Sequence, residues 1–308
     1  MKYDLAIAHR VCPTLSTTAV GFSSKIEMVK ATTESLAIAL SGLSVKLIII
    51  LDGCPSEYED IFLEKFPNHG LGDDTTIRVD MVIIKTPSIG NQATWARQID
   101  ELLSVTDAPY LYFSEDDYLY KPFAFYAMID FLNRNSEASF CTPLDHPDRY
   151  RRNIVETQRV SIEVSPYCHW REASTTCLTF MMRRECLPKV RRMFYTFVKG
   201  NIDGTMWFGI TKDLVFNVPV LLKAAIRYFF CRNADFGRML PLAAWKWHGI
   251  RLLWSRRYRL WSPLPTLAIH LSSVSLPLSA ECFMGPTHAV EKIKSIAERY
   301  LFSGFEDV

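Results

Sequence analysis

The chain has 308 residues, room for one large domain or two small ones. Its 49% apolar and 22% charged residues exclude disorder, a collagen-like repeat and a small disulfide scaffold. The formal net charge of +2 excludes a polyanion binder on average, yet residues 219–262 hold nine Lys/Arg against one Asp, a net +8, and the remainder carries −6.

The start enters a strand-like run at once, with no basic n-region, long apolar stretch or small-residue cleavage site, which argues against a secretory leader. No uninterrupted apolar run approaches the ~18 residues of a membrane span. The eight cysteines form no C-x-x-C pair and sit mostly in apolar surroundings, which predicts reduced core thiols in a cytosolic protein.

In chain order, Leu5–Ala8 reads as a short buried strand. Ser23 and Ser24 can cap a helix running to about Leu40, stopped by Gly42. Lys46–Leu51 is a strand buried on both faces, as in a parallel sheet. Ser56 and Glu59 fit a capping box that opens a helix to Phe66. Ile77–Ile84 is a strand, Gln92–Ser104 a helix and Tyr110–Ser114 a strand. Pro122 suits the first turn of a helix to about Asn133, and Ala138–Thr142 is the next strand. Strand and helix alternating at this spacing predict an α/β layer fold with a largely parallel sheet. Further on, Thr176–Met182 is strand-like, Arg184–Val198 helix-like, Thr266–Leu271 a short run, and Thr287–Leu301 an amphipathic helix.

The strongest local signal is Glu115-Asp116-Asp117, three carboxylates directly after an apolar strand. Crowded like charges at a strand end cost energy unless a cation or donors offset them. Strand carboxyl ends in an α/β sheet face the ligand crevice, and hard oxygen ligands there suit Mg²⁺ or Mn²⁺. A solvated acidic loop opening the next helix is the competing reading.

This arrangement resembles the DxD-type motif of GT-A glycosyltransferases, in a Glu-Asp-Asp form, and the half before it is similar to family 2 glycosyltransferases. The resemblance rests also on Ala8, His9 and Arg10 at the end of the first strand, Asp52 at the end of the second, and Gly90-Asn91 followed by Ala96-Arg97 about 20 residues before the motif. It covers about residues 4–145 well and 170–275 more loosely. It implies a Rossmann-like α/β fold with a mixed, mostly parallel sheet and a metal-dependent, inverting transfer of a hexose or N-acetylhexosamine. The donor would be a nucleotide-sugar, with UDP-sugars the expected class. The acceptor would be a hydroxyl of a glycan or lipid-linked glycan in cell-surface polysaccharide synthesis. Ala8, His9, Arg10, Asp52, Gly90, Asn91, Arg97, Glu115 and Asp116 would seat the nucleotide-sugar, and Asp117 would bind Mn²⁺ or Mg²⁺. The corresponding domain plan is a catalytic unit over 1–275, made of a nucleotide-sugar half (1–145), an acceptor half (146–218) and a basic aromatic membrane-facing insertion (219–262), followed by a tail (276–308).

Inverting transfer needs a carboxylate to take the acceptor's proton. Asp203, in Asn201-Ile-Asp-Gly-Thr-Met-Trp207, is the family-based candidate, with Asp213 as rival and an N-cap role as the bland alternative. Trp207 could stack on a sugar, and Asp145, in the polar stretch 142–150, could line the sugar pocket; a core Trp and an ordinary turn are the alternatives. His270 follows a short strand-like run, from where GT-A enzymes often bring a histidine to the metal. Trp245, Trp247, Trp254 and Trp261, interleaved with Arg251, Arg256, Arg257 and Arg259, read as a face for anionic lipid, with ordinary packing behind a basic face and a nucleic-acid surface as the alternatives. The protein is therefore expected to be cytoplasmic and peripheral on the membrane's inner face. A sugar nucleotidyltransferase and a non-catalytic membrane-associated binding protein are the alternatives; the former lacks its Gly-rich loop after the first strand.

Overall fold

A computed structural model describes residues 2–16, 19, 21–66, 78–146, 161–230 and 236–272. The strands are β1 (Leu5–Val11), β2 (Ser44–Asp52), β3 (Arg78–Thr86), β4 (Tyr110–Glu115), β5 (Tyr118–Tyr120), β6 (Ala138–Cys141), β7 (Ile162–Val164), β8 (His169–Ala173), β9 (Phe180–Arg183), β10 (Arg259–Leu264) and β11 (Ala268–His270). The helices are α1 (Lys25–Ala39), α2 (Ser56–Lys65), α3 (Asn91–Ser104), α4 (Ala124–Arg134), α5 (Leu187–Val198), α6 (Asp203–Thr211), α7 (Val218–Phe230), α8 (Phe236–His248) and α9 (Arg251–Trp254).

Nine strands form one sheet in the order β3-β2-β1-β4-β9-β6-β10-β8-β7, and β11 pairs with β5 apart from it. Following the pairings across the sheet, only β8 and β9 run against the common direction. This is the α/β, mixed and mostly parallel sheet flanked by helices expected from the sequence, consistent with a Rossmann-like GT-A fold.

The side-chain period of two splits each central strand between two cores. Leu5 and Ile7 of β1 and Tyr110 and Tyr112 of β4 pack with α1, α2 and α4 residues such as Val29, Phe62 and Phe125. Ala6, Ala8, Leu111 and Phe113 point the other way, onto Trp95, Ile99, Phe194 and Trp207 from α3, α5 and α6. The outcome is three layers, with every residue of β1 buried.

Several local expectations need correction. Ser56 does not cap α2: Pro55 occupies that position without a side-chain bond, and Glu59 pairs with Lys85 instead. Pro122 lies in the turn before α4 rather than inside its first turn. The end of the 219–262 segment is not an insertion, because β10 lies inside the large sheet between β6 and β8. Of the four tryptophans read as one face, Trp261 is fully buried in β10, Trp245 donates to the Val215 carbonyl at 2.6 Å, and Trp247 is half-buried. Only Trp254 is exposed. Among the described residues no helix is long and apolar enough to cross a membrane. Residues 147–150 of the polar stretch, the amphipathic run Thr287–Leu301 and the tail 276–308 lie outside the described residues.

Candidate active site

The strand order places a reversal between β1 and β4: from β1 the chain builds outward through β2 and β3, then returns to add β4 on the other side. Open α/β sheets bind ligands at such a point, outside the strand carboxyl ends. A cleft of about 610 Å³ lies there, lined by Arg10, Lys25, Asp52, Asn91, Glu115, Asp117 and neighbours that include Gly90, Asp116 and His270.

Each of the three clustered acids has its own cation. Arg10 and Glu115 are register partners on β1 and β4, and the Arg10 guanidinium donates to Glu115 Oε1 at 2.6 Å. The same guanidinium donates to Asn91 Oδ1 at 2.5 Å and to the Asn91 carbonyl at 3.1 Å, while Thr179 donates to Glu115 Oε2 at 3.0 Å. Asp116 turns inward: Lys25 donates to Oδ1 at 2.7 Å and the Cys12 N–H to Oδ2 at 3.0 Å. Burial raises Asp116 to about 6 in spite of Lys25. Asp117 Oδ2 lies 3.0 Å from His270 Nε2. Burial is the largest influence and opposes both charges of this pair, but the partner's charge and hydrogen bond, joined by Lys25 and Arg10 at Asp117 and by Cys177 at His270, together outweigh it, so Asp117 lies below the usual carboxylate range and His270 well above its ordinary value.

His270 reaches Asp117 because β11 pairs antiparallel with β5, putting His270 opposite Tyr118; the rings stack at 4.7 Å and 4°. The Leu271 N–H closes the contact on the Asp117 carbonyl at 2.8 Å. Asp117 Oδ1 is buried and has no hydrogen-bond partner. It is the one oxygen of the three acids left in that condition, since the other five accept the bonds just described.

Asp52 braces the cleft wall. Its carboxylate accepts from Thr86 Oγ1 at 2.8 Å and from the N–H groups of Ile89 and Gly90 at 2.6 and 2.8 Å. Gly90 then opens α3 with φ 87° and ψ 174°, a conformation essentially restricted to glycine. Ala8 and His9 lie within β1, behind the cleft lining. Burial, with Lys25 adding to it, lowers His9 to about 3, so the ring is neutral; Nδ1 is hydrogen-bonded to Ser114 Oγ at 2.8 Å. Arg97 does not line the cleft: it is exposed on α3 and paired with Glu101 at 2.8 Å.

The acceptor-side candidates separate. Asp203 is the first residue of α6, and its Oδ1 accepts from the Gly204 N–H at 2.6 Å. It is outside the cleft lining, yet Asp203, Glu115 and His270 all act electrostatically on the Cys177 thiol, which burial pushes up. Trp207 is corrected: it is fully buried, edge-on to Phe140 and Phe180, and offers no open face for a sugar. Asp145 is held near β11 by its own N–H, which donates to Thr266 Oγ1 at 3.1 Å. The rival Asp213 accepts from Ser174 Oγ, and burial raises its carboxyl.

Sequence reasoning missed Lys25. The signal was there: a lysine at the first helical position opposes the helix dipole, so it needs an anion nearby.

No protein-family model matches the chain, and no curated protein does. Among solved structures it is similar to the crystal structure of S. aureus TarS 1-349, with 12% sequence identity and a TM-score of 0.40. That likeness covers 63% of this chain and 54% of the other, so the chain spans about half of the TarS structure.

Proposed function

We propose that the protein is a glycosyltransferase that moves a sugar from a nucleotide-sugar, with UDP-sugars the expected donors, to a hydroxyl of a glycan or lipid-linked glycan. The supporting observation is Asp117 Oδ1, a buried carboxylate oxygen without a partner beside a cleft at the sheet's switch point. Arg10 and Lys25 line that cleft but are each paired with an acid, and with Asp52, Glu115, Asp116 and Asp117 the lining is net acidic, which favours a cation beside a diphosphate.

A divalent ion fits these residues in part. Asp117 would hold Mn²⁺ or Mg²⁺ through Oδ1, with His270 orienting the carboxylate through Oδ2. Among the described residues no group of three or more His, Cys, Asp or Glu is arranged to hold a metal, so the other ligands would be donor phosphate and water. When bound, the ion supplies charge stabilisation to the departing nucleoside diphosphate.

The chain's own residues do the rest. Asp52 and Gly90 fix the loop that presents Asn91 to Arg10, and Arg10 holds Glu115 at the cleft edge. Asp203 takes the acceptor proton as the acceptor oxygen attacks the anomeric carbon.

The test is a thermal-shift titration with UDP, GDP and CMP, each with and without Mn²⁺. A ligand at about 100 times its Kd adds about 2.7 kcal/mol of stability. UDP with Mn²⁺ should raise the wild-type Tm, and Asp117→Asn should abolish the metal-dependent part. Nucleotide binding indifferent to Mn²⁺ in both proteins would remove the metal role. No nucleotide binding at all would remove the donor site, and full transfer activity in Asp203→Asn would remove the base.

A further inference from the structure

The helical segment between β9 and β10 turns apolar side chains outward. On α7, Val218, Leu222 and Ile226 recur every fourth residue, so they form one stripe, and all three are exposed. Ala224, on the opposite side, is buried. A surface helix ordinarily presents polar residues to water, and this one does the reverse. Tyr228 extends the exposed surface. At the α8–α9 corner Ile250, Leu253 and Trp254 are also exposed, Trp254 to 82%. Seven large apolar side chains over these short helices exceed the scattered singles of an ordinary surface.

The charges around them have one sign. Lys223, Lys246, Arg251 and Arg256 are exposed on the same helices or directly after them. From Val218 to Tyr258 the sequence holds a single acid, Asp235. An apolar stripe with Trp and a basic border complements a surface that is apolar within and anionic at its rim. At 13 residues α7 is about 20 Å long, so it can lie in a bilayer interface but cannot cross one.

We infer that α7 and the α8–α9 corner form a docking face for an anionic phospholipid bilayer. Leu222, Ile226, Leu253 and Trp254 enter the headgroup boundary, and Lys223, Lys246, Arg251 and Arg256 meet lipid phosphates. α8 packs on both α6 and α7, so docking holds the helix that begins with Asp203 beside the membrane. In that respect the inference deepens the proposed function, because a lipid-linked acceptor would be presented there. The surface itself does not depend on that reading.

The test is flotation of the full chain with phosphatidylcholine vesicles, with and without phosphatidylglycerol, at low and high salt. Wild-type protein should bind the anionic vesicles about tenfold or more tightly than neutral ones, and salt should weaken binding. Leu222→Glu with Ile226→Glu, and separately Leu253→Glu with Trp254→Glu, should each lower binding about tenfold while the Tm stays unchanged. Lys223→Gln with Arg251→Gln and Arg256→Gln should lower only the anionic component.

Equal binding to both vesicle types, or undiminished binding in the Glu variants, would overturn the inference. So would absent vesicle binding together with a dimer that the same variants dissociate, since the face would then join two copies. Nucleotide binding measured in parallel separates the two claims: its loss in wild-type protein removes the donor site and leaves the vesicle result standing.

Discussion

Arg10 and Glu115 face each other across the seam where β1 meets β4, as register neighbours joined by a 2.6 Å ion pair. This seam is the sheet's switch point, so the pair ties the two strands at the position where the ligand crevice opens. Asn91 at the start of α3 and Thr179 before β9 complete the network from two further elements. Both side chains are largely buried, so removing one partner leaves a charge with little water to receive it. Arg10→Met should therefore destabilise the fold by about 3 kcal/mol. Glu115→Gln keeps an acceptor for Thr179 but leaves the Arg10 guanidinium without its counter-charge, with only Asn91 accepting from it, and should cost about 2 kcal/mol. The double variant should recover at least about 1 kcal/mol of the summed loss. Urea denaturation of all four proteins checks this, and strictly additive losses would show that the pair is not coupled.

Lys25 and Asp116 make the second pair, more deeply buried than the first. Asp116 also accepts from the Cys12 N–H, and its carbonyl accepts from Thr32 Oγ1 at 3.0 Å, so α1 grips the acidic turn at both ends of one residue. Lys25→Met should cost about 3 kcal/mol by stranding the carboxylate. Adding Asp116→Asn should restore most of that, because a neutral amide still accepts from Cys12 and carries no stranded charge. If the double variant is no more stable than Lys25→Met alone, the loss comes from packing around the lysine stem and not from the charge.

Asp52 and Gly90 fix the other wall. Asp52→Ala would leave the Ile89 and Gly90 N–H groups without their acceptor, at about 1 kcal/mol for each bond lost, since both residues are exposed and water can take the place of the carboxylate. Gly90→Ala meets no atom within 4 Å, so its cost is backbone conformation alone, about 1–3 kcal/mol. Both variants should also weaken nucleotide binding, since Asn91 follows directly and orients Arg10. Unfolding and thermal-shift measurements on the same proteins test the two effects together. Gly90→Ala with wild-type stability would mean the loop relaxes to an ordinary conformation at no cost.

The alternation of strand and helix was readable because β1, β2 and β4 are apolar runs bounded by turn residues, and the first 140 residues yield the parallel half of the sheet. The antiparallel half was largely hidden. β7 and β8 carry Glu163, His169, Arg171 and Glu172, since β7 is an exposed edge, and β10 lies in a basic stretch whose Arg257 and Arg259 turn out to pair with Glu172 at 3.0 Å. Such cross-strand pairs have no local signature. The same holds for the site. The three acids were visible as a cluster, but which cation meets which acid depends on Lys25 being 91 positions from Asp116 and His270 being 153 from Asp117. Asp203 is a candidate by resemblance alone, and Trp207 was misread because a tryptophan near a candidate base looks the same in sequence whether it packs inward or outward.

His9 makes the acid side of the stability curve predictable. The ring is buried and neutral, with a folded value near 3, whereas an unfolded histidine takes up a proton below about 6.5. The unfolded state therefore binds more protons between these values, so the stability contribution is complete above pH 6.5 and is lost as pH falls toward 3. The limiting slope is about 1.4 kcal/mol per pH unit, which gives a loss of about 2 kcal/mol between pH 7 and pH 5. His9→Asn cannot titrate, so its stability should fall by that much less over the same interval, whatever its stability at pH 7. Urea denaturation of both proteins at the two pH values measures the difference directly. Parallel pH dependences would mean that His9 accepts a proton in the folded protein, and that the neutral ring bonded to Ser114 is the wrong protonation state.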